Sequence, residues 1–373
     1  MAVLALLIGI ALIMLVLWEG FETIVLPRRV TRRFRLTRLF YRKTWLLWQK
    51  LVSPVTSARN RENLLSFYGP LSLLFLLSVW AGGLILGFAL LHWAVGSTFD
   101  DSGALHGFLS DLYLSGTTFF TLGLGDVPPR NPPARLLTVI ECGMGFGFLA
   151  LVIGYLPALN QSFSRREVNI SLLDARAGSP PTAAEMLRRH SHGHGMEELR
   201  QLLHEWERWS AEFLESHISF PVLAYFRSQH ENQSWLAALA AVLDTSALVM
   251  VGVEGACERQ ASLTFAMARH AVVDLALVFG AEPKIRENGR LTPQMLTQLH
   301  ETLAKVGLKL QTGDEAERKL AELRLMYEPY LLSLAAYHHI KVPPWFFEGE
   351  RQDNWQASAW ELRKLKTGRG RKP

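Results

Sequence analysis

The chain of 373 residues is long enough for a membrane region and at least one soluble domain. Its mean hydropathy is positive, +0.12, although 20% of its residues are charged, which indicates that one part lies in lipid and another in water. The two cysteines, Cys142 and Cys257, stand in apolar surroundings without metal-ligand spacing, which argues against a disulfide scaffold.

The N-terminal residues predict a short transmembrane helix. Met1–Trp18 is uncharged and apolar, near the lower length limit for a span. A signal peptide is disfavoured, because no basic residue precedes the apolar run and a strongly cationic segment follows it. We therefore expect residues 1–22 to form an N-terminal transmembrane helix.

Residues 23–67 predict a basic interfacial segment in the cytoplasm. Thr23–Arg61 has no acidic residue, and the positive-inside rule places such a loop on the cytoplasmic side. Residues 28–61 are expected to bind the anionic headgroups of membrane lipids. The basic residues are Arg28, Arg29, Arg32, Arg33, Arg35, Arg38, Arg42, Lys43, Lys50, Arg59 and Arg61.

Part of this segment also imitates the arginine ladder of a voltage sensor. A sensor needs acidic partners on neighbouring helices. The single helix predicted before this segment carries no such countercharge, so an interfacial helix is the favoured interpretation. The arginines at every third position are Arg29, Arg32, Arg35 and Arg38.

Two further apolar segments predict transmembrane helices. Pro70–Val95 has no Asp, Glu, Lys or Arg, and Leu136–Leu159 has one ionisable residue, Glu141. His92, near the outer end of the first segment, is interpreted as a polar residue at the membrane interface.

The charges that flank these segments predict the orientation of the chain. Asp100 and Asp101 follow the first segment, and Arg165 and Arg166 follow the second. With the basic loop, they predict three spans, an N-terminus outside and a C-terminal region in the cytoplasm.

A glycine-containing motif lies between the two segments. His106–Phe120 has the amphipathic pattern and length of a short helix, and Thr121-Leu122-Gly123-Leu124-Gly125-Asp126 follows it. Glycine permits positive φ, so alternating such residues can turn successive carbonyl oxygens toward one axis. Four copies would stack rings of oxygens that replace the hydration shell of a cation, with the Thr121 hydroxyl innermost. A glycine-rich turn is the alternative, but the position between two spans favours a re-entrant pore loop.

This motif, with Ser115-Gly116-Thr117-Thr118 before it, resembles the pore domain of the potassium channel family, whose usual filter is Thr-Val-Gly-Tyr-Gly-Asp. Leu122 and Leu124 replace Val and Tyr. The lining atoms are backbone carbonyls, so neither change removes an ion ligand, but Leu124 lacks the hydroxyl that braces the filter in many members. The aromatic cuff is thinner too, with Tyr113 followed by Leu114 where a Trp pair often stands.

The resemblance covers about Pro70–Leu159, so residues 68–160 are predicted to be a pore domain of outer helix, pore helix, filter and inner helix. It implies a homotetramer, because one pore loop cannot close a ring. It also implies K⁺ as the permeant ion, held by the carbonyl groups of Thr121, Leu122, Gly123, Leu124 and Gly125. The residues expected to support the filter are Thr117, Thr118, Asp126 and Glu141.

Glu141 is expected to lie behind the filter, hydrogen-bonded to Ser115 or Thr117. A carboxylate within a span normally faces protein or water, and Glu141 stands early in the inner helix, near the depth of the pore loop. A carboxylate ring facing the cavity is the alternative.

The inner helix is rich in small residues, which permit close helix packing. By resemblance, Gly145 also falls near the family's gating hinge, and Pro157 allows a kink. Packing and gate motion both remain open interpretations. The glycines are Gly143, Gly145, Gly147 and Gly154, and the hinge candidates are Gly145, Gly154 and Pro157.

Residues 161–195 are predicted to be a linker, because Ala177–Pro181 contains Gly and Pro. His190, His192 and His194 within it could bind a transition metal. No Cys or carboxylate completes a recognised spacing, so a flexible linker without a metal is favoured.

Residues 196–350 predict a helical cytoplasmic regulatory domain, and residues 351–373 a basic tail. Thr292 before Pro293 is typical of a helix start, and Asp314 with Glu317 suggests a capping box. Neither alternating strands nor a dinucleotide-binding glycine loop is evident.

Trp235–Val253 is nearly apolar with Asp244 at its centre, which favours a buried helix over a fourth span, because a central Asp is costly in lipid. Asp244, Arg269, His270 and Asp274 could line a ligand pocket, although satisfied buried pairs are the favoured interpretation.

The sequence thus predicts an all-α membrane protein, with a tetrameric potassium-channel-like pore domain and an α-helical cytoplasmic domain. The predicted function is passive K⁺ conduction across the cell membrane, without enzymatic activity, cofactor or nucleic-acid partner. The gating ligand is not evident. The alternatives are a non-selective cation channel and a membrane-anchored sensor or enzyme with a channel-like anchor, although no nucleophile–base constellation supports the latter.

Overall fold

A computed structural model describes residues 1–26, 35–97, 107–230, 232–253, 255–285, 289–349 and 353–356. The chain divides into an N-terminal unit, Met1–Gln161, and a C-terminal unit, Ser162–Pro373. The described residues form helices, with a single isolated bridge between Val253 and Leu310 in place of a sheet. This confirms the all-α class. Predictions for Arg28, Arg29, Arg32, Arg33, Asp100, Asp101, His106 and most of the tail fall outside the described residues.

The N-terminal unit contains three long apolar helices and two shorter ones. The long helices α1, α3 and α5 are each apolar enough to cross a membrane. The elements are α1 (Ala2–Gly20, continued by a π-helical turn, Phe21–Val25), α2 (Leu36–Val52), α3 (Ala58–Val95), α4 (Phe108–Phe119) and α5 (Pro132–Ala177), the last of which continues into the C-terminal unit.

Glycines allow α1 to pack closely along α3. A Cβ atom added to Gly87 would lie 2.6 Å from Ile13 Cγ1, and one added to Gly9 would lie 2.7 Å from the Gly87 carbonyl oxygen. Both distances are shorter than atoms tolerate, so only glycine fits at this crossing. Small residues at helix contacts are the usual means of close packing in lipid.

The end of α1 holds the start of α2. The buried carboxylate of Glu19 accepts hydrogen bonds from the Leu36 and Thr37 amides, at 3.1 and 3.0 Å, and from the Thr37 hydroxyl at 2.8 Å. It thus satisfies amides that the first turn of a helix leaves without partners. Glu22 pairs with Arg35 at 3.6 Å. The expectation that the first helix carries no countercharge is therefore wrong.

The second long helix begins at Ala58, well before the predicted Pro70, and Ser57 caps it by accepting from the Asn60 amide. The added turns pack on α2, where the rings of Trp45 and Tyr68 lie 4.7 Å apart. Hydropathy alone missed them, because this part of α3 is polar on its outer face.

The C-terminal unit is a helical bundle. Its elements are the end of α5, α6 (Ala183–Arg189), α7 (Gly195–Ser219), a 3₁₀ turn (Pro221–Tyr225), α8 (Trp235–Gly252), α9 (Glu258–Phe279), α10 (Pro293–Ala304), α11 (Asp314–Leu325) and α12 (Glu328–His338). The protein buries 89% of the apolar window of α8, compared with 11% for α5. This supports the interpretation of α8 as a buried helix rather than a fourth span.

The prediction that residues 161–195 form a linker is wrong for most of that segment. Helix α5 continues to Ala177, and Ile170 and Leu173 on it are buried in the core of the bundle. Met186 and Leu187 on α6 are fully buried there too. The burial of these apolar residues outweighs the local Gly and Pro signals, and only Ile170 and Leu173 show helical spacing in the sequence.

Two predicted helix starts had different outcomes. Thr292 caps α10 by accepting from the Met295 amide at 3.3 Å, as expected. Helix α11 has Gly313 as its N-cap, without a side-chain cap, so the predicted capping box at Asp314 is wrong.

Candidate functional site

The candidate site is the loop that follows α4. The amides of Leu122 and Gly123 both donate to the Thr117 carbonyl oxygen, at 2.7 and 3.3 Å, and the Thr121 amide donates to the Thr118 carbonyl oxygen at 2.9 Å. These bonds use carbonyl groups that the end of a helix leaves without partners. The loop therefore starts from a fixed position at the negative end of the α4 dipole, which favours nearby cations.

The backbone of this loop alternates in handedness. Thr121, Gly123 and Gly125 have φ values of 57°, 54° and 78°, whereas Leu122 and Leu124 are not in the positive-φ region. Glycine adopts such angles readily, but a β-branched residue such as Thr121 adopts them only under strain. Left- and right-handed residues in alternation can turn successive carbonyl oxygens to one side of the chain. Several such loops around an axis would offer a cation oxygen ligands in place of water.

The far end of the loop is tied back to α4. The Tyr113 hydroxyl donates a hydrogen bond to Asp126 Oδ2 at 2.8 Å. Tyr113 was expected to belong to a thin aromatic cuff and Asp126 to support the filter, but nothing in the sequence pairs the two. The loop is thus held at both ends by α4.

The two threonines at the end of α4 take different positions. The Thr117 hydroxyl donates within the helix, to the carbonyl oxygens of Tyr113 or Leu114, each 3.0 Å away. Thr118 is buried. Thr117 thus supports the loop through its carbonyl oxygen, and its hydroxyl does not contact Glu141.

Glu141 on α5 lies behind the loop and is fully buried. Its Oε1 contacts the Ser115 hydroxyl, one of the two partners expected from the sequence. Its Oε2 lies 3.3 Å from His92 Nε2, and both side chains have 0% exposure. The interpretation of His92 as an interfacial residue is therefore wrong, because helix packing turns it inward onto an acid.

A second acid belongs to this region. Asp111 on α4 is buried, interacts electrostatically with His92, and has an Oδ1 atom without a hydrogen-bond partner. Asp111 was not among the residues predicted from the sequence to support the filter. A signal was available, since Asp111 and Ser115 stand four residues apart and share one face of α4.

Gly145 on α5 contacts the backbone of α4. A Cβ atom added there would lie 1.9 Å from the Phe119 carbonyl oxygen. Gly143, Gly147 and Gly154 have no atom within 4 Å of such a position. Helix α5 continues through Gly154 and Pro157. Of these glycines, Gly145 alone packs against another part of the described chain.

The loop and α5 leave large apolar side chains uncovered in a single chain. Phe120, Leu122 and Leu124 are 67%, 62% and 60% exposed. Val139 and Phe146 on α5 are 70% and 68% exposed. Apolar surface of this size marks contact with lipid or with further protein.

The four polar residues that could line a pocket in the C-terminal unit each have other partners or pair with one another, in line with the favoured interpretation of satisfied pairs. The buried carboxylate of Asp244 accepts from Arg290, with 2.7 Å between Nη2 and Oδ2, and from the Tyr327 hydroxyl at 2.5 Å. Burial raises the pKa of Asp244, although the Arg290 guanidinium acts in the opposite direction. Arg269 donates to the Met326 carbonyl oxygen, and His270 lies 3.7 Å from Asp274. Asp244 therefore belongs to a buried ion pair.

The histidines of the C-terminal unit are also placed by packing. His190 is buried with Nδ1 2.7 Å from the Met186 carbonyl oxygen, and His192 Nδ1 lies 2.6 Å from the Ser191 hydroxyl. Within the described ranges, no three His, Cys, Asp or Glu side chains are grouped to hold a metal. His217 and His338 are buried, and desolvation lowers the pKa of each well below its usual value.

A cavity of about 910 Å³ opens in the C-terminal unit beside α6 and α10. Its charged groups largely satisfy one another: Arg189 pairs with Asp353 at 2.7 Å and with Glu185 at 2.6 Å, and Arg188 also pairs with Glu185. Lys305 lines the same cavity. Nothing in this arrangement selects one class of ligand.

Comparison with known proteins places the candidate loop within a recognised domain. Residues 75–161 match a protein-family model described as "Ion channel". The "Uncharacterized membrane protein YdjJ" of Bacillus subtilis (strain 168) is 28% identical over 191 residues, which cover 50% of this chain and 54% of that protein. The chain thus spans about half the length of this relative. No solved structure matches.

Proposed function

We propose that the protein is a passive, K⁺-selective channel, because residues 75–161 match a family model described as "Ion channel" and the N-terminal unit has helices apolar enough to cross a membrane. Conduction passes along the carbonyl oxygens of Thr121–Gly125, with the Thr121 hydroxyl at the inner end. The chain performs no chemical reaction and needs no cofactor beyond the permeant ions.

The alternating backbone of the loop is the observation that carries this proposal. Positive φ at Thr121, Gly123 and Gly125 is the conformation needed for successive carbonyl groups to point toward one axis. The Thr117 carbonyl oxygen holds the start of the loop by accepting from the amides of Leu122 and Gly123. Leu122 and Leu124 contribute only backbone atoms, so the ligand set is the same as with Val and Tyr.

Reversal potentials of reconstituted protein test selectivity. With K⁺ on one side of a planar bilayer and Na⁺ on the other, we expect a reversal potential far from zero. Gly123→Ala should abolish the current, because φ is 54° there and alanine tolerates it poorly. Gly116→Ala is the matched control: Gly116 lies within α4, with no atom within 4 Å of an added Cβ. A reversal potential near zero would contradict K⁺ selectivity. A wild-type current in Gly123→Ala would show that this loop does not line the pore.

A non-selective cation channel is the second candidate, and the side chain of Leu124 favours it. Leucine offers no hydroxyl to brace the outer end of the loop, and Leu124 is 60% exposed in the single chain. A looser loop would let Na⁺ find its own set of oxygens. The same reversal measurement decides between the two.

We propose that four chains assemble around the pore, because one loop supplies only part of each oxygen ring. The exposed apolar surfaces of the loop and of α5 are what neighbouring copies would cover. Native mass spectrometry in detergent should show four chains. A conducting dimer would contradict this assembly.

We propose that the protein lies in the cell membrane with its N-terminus outside and its C-terminal unit in the cytoplasm, where residues 28–61 meet anionic lipid. The support is the charge of the loops. Reporter fusions at the two termini test the orientation, and opposite signals are expected. Reconstitution with and without anionic lipid tests the contact with headgroups.

The C-terminal unit is proposed to set open probability but not selectivity. The conducting loop lies in the other unit, and α5 joins the two through the hinge candidates Gly145, Gly154 and Pro157. A chain ending at Gln161 should keep the wild-type reversal potential and show a changed open probability. An altered K⁺/Na⁺ ratio would contradict this division. A chemical activity of residues 162–373 would favour the sensor or enzyme alternative.

A further inference from the structure

A line of polar contacts runs behind the loop, within the N-terminal unit. The Ser115 hydroxyl contacts both the Ile85 carbonyl oxygen, at 2.7 Å, and Glu141 Oε1. Glu141 Oε2 lies 3.3 Å from His92 Nε2. His92 Nδ1 lies 3.4 Å from the Ser97 hydroxyl, which in turn lies 3.2 Å from the His92 carbonyl oxygen. We call these five contacts the hydrogen-bond line.

The number of protons in the hydrogen-bond line decides how many of its contacts are hydrogen bonds, because each needs one proton between its two atoms. With Glu141 ionised and His92 neutral, the line holds three protons: one on each serine hydroxyl and one on the imidazole. The carbonyl oxygens at both ends only accept. Two of the five contacts then have no proton between their two atoms, so lone pairs face each other there. Each proton added to the line converts one of these two contacts into a hydrogen bond.

The inner part of the line is closed to bulk water. The side chains of His92 and Glu141 have 0% exposure, and Ser115 is fully buried. A buried polar group without its hydrogen bond is costly, so the site gains by taking up protons.

Titratable groups from three helices meet at this line. They are His92 from α3, Glu141 from α5 and Asp111 from α4, whose Oδ1 has no hydrogen-bond partner. Two buried carboxyl groups thus lie around the His92 imidazole.

We propose that the hydrogen-bond line is a proton-binding site that clamps α4 to α3 and α5, and that loss of its protons drives the loop into a non-conducting state. The ligand is the proton itself. This inference rests on the proposed channel function for its effect on current, but not for proton binding.

Loosening α4 affects conduction because α4 positions the loop at both ends. Thr117 holds the start of the loop and Tyr113 holds Asp126 at its end. Ser115 lies between them on the same helix. The side chain of Leu124 has no hydroxyl group that could hold the loop by a hydrogen bond. The conformation of the loop therefore depends on the position of α4.

The test compares currents of the full-length protein in planar bilayers, in symmetric KCl, from pH 5 to pH 9 on both sides. The steady-state current of the wild type should fall as pH rises. The ratio of conducting to non-conducting channels should change about tenfold or more, as expected for the loss of one hydrogen bond to a charged group.

Two substitutions at one position separate proton binding from packing. In Glu141→Gln, the amide donates to Ser115 and its oxygen accepts from His92 at every pH, so the channel should keep its low-pH behaviour throughout. Glu141→Ala removes the clamp and should behave at every pH as the wild type does at high pH. His192→Gln, at an exposed histidine of the C-terminal unit, is the matched control and should keep the full pH response.

Equal pH responses in the wild type and Glu141→Gln would overturn the proposal, as would Glu141→Gln behaving like Glu141→Ala. If the wild type carries no current at any pH, the proposed function fails instead. Thermal unfolding of the full chain in detergent then decides the proton site. The unfolding temperature of the wild type should fall relative to that of Glu141→Gln as pH rises, and a difference independent of pH would overturn the inference.

Discussion

Replacing Gly145 by alanine puts a methyl group against the backbone of α4. The added Cβ atom would lie 1.9 Å from the Phe119 carbonyl oxygen and 2.8 Å from its carbonyl carbon. Cβ contacts below 3.0 Å are essentially never seen, so the two helices must separate by at least about 1 Å there. Both partners are backbone atoms, and no side-chain rotation can relieve the clash.

The expected cost follows from two opposing effects. Overpacking of this kind costs about 1–3 kcal/mol. Alanine regains up to about 1 kcal/mol of helix propensity relative to glycine. With the full gain in helix propensity, the net result for Gly145→Ala is a loss of up to about 2 kcal/mol in the free energy of unfolding, concentrated at the contact between α4 and α5. Because the loop starts from the last turn of α4, we also expect most of the current to be lost.

Gly147→Ala is the control for this substitution. It lies on the same helix, and an added Cβ meets no atom within 4 Å. It should keep or slightly raise stability. Thermal unfolding in detergent and single-channel recording measure both variants.

The two outcomes also distinguish packing from hinge motion. If Gly145→Ala unfolds at the wild-type temperature and conducts normally, the close contact with Phe119 is refuted. If stability is unchanged but open probability shifts, Gly145 acts as a hinge rather than as a packing residue.

Three further substitutions test the packing of both units. Glu19→Ala should cost about 0.5–2 kcal/mol by removing the cap of α2, and hydrogen exchange at the Thr37 amide should accelerate while that of α9 stays unchanged. Stability of the C-terminal unit should fall as pH drops below 6.5, because burial lowers the pKa of His338 and the unfolded chain takes up the proton first. His338→Phe should reduce this dependence by about 1.4 kcal/mol per pH unit in urea titrations, and an unchanged slope would show that His338 is not buried as a neutral base. Arg290→Met should cost about 3–5 kcal/mol by leaving Asp244 buried and unpaired, and adding Asp244→Leu should recover much of the loss. Additive losses in the double variant would refute the pairing.

Local patterns in the sequence were sufficient for the elements that depend on local physics. Lipid requires long apolar helices, so α1, α3 and α5 could be predicted from hydropathy alone. The spacing of Thr121, Gly123 and Gly125 predicted a loop with positive φ at the glycines, because few other residues adopt that conformation. Thr292 before Pro293 predicted the start of α10, because threonine can cap the first amides of a helix and proline suits its first position.

Helix boundaries were less predictable where packing outweighs local composition. Helix α3 starts before Pro70 because its first turns bury Leu65 and Tyr68, and the Tyr68 ring packs on Trp45 of α2. Helix α5 runs on to Ala177 because Ile170 and Leu173 enter the core of the C-terminal unit. A proline or a polar stretch is a weak signal when the residues around it gain from burial.

Tertiary structure alone decided which polar groups meet. His92 and Glu141 lie 49 residues apart and Asp244 and Arg290 lie 46 apart, so no periodicity relates them. Glu19 and Thr37 belong to different helices. Hydropathy identifies a helix that can be buried, but the rotation of that helix about its axis depends on the shape of its neighbours. The packing of α3 on its neighbours turned His92 toward Glu141 instead of toward the membrane interface. A buried acid and base stabilise each other only within hydrogen-bond distance, and only the packing of distant helices can bring them that close.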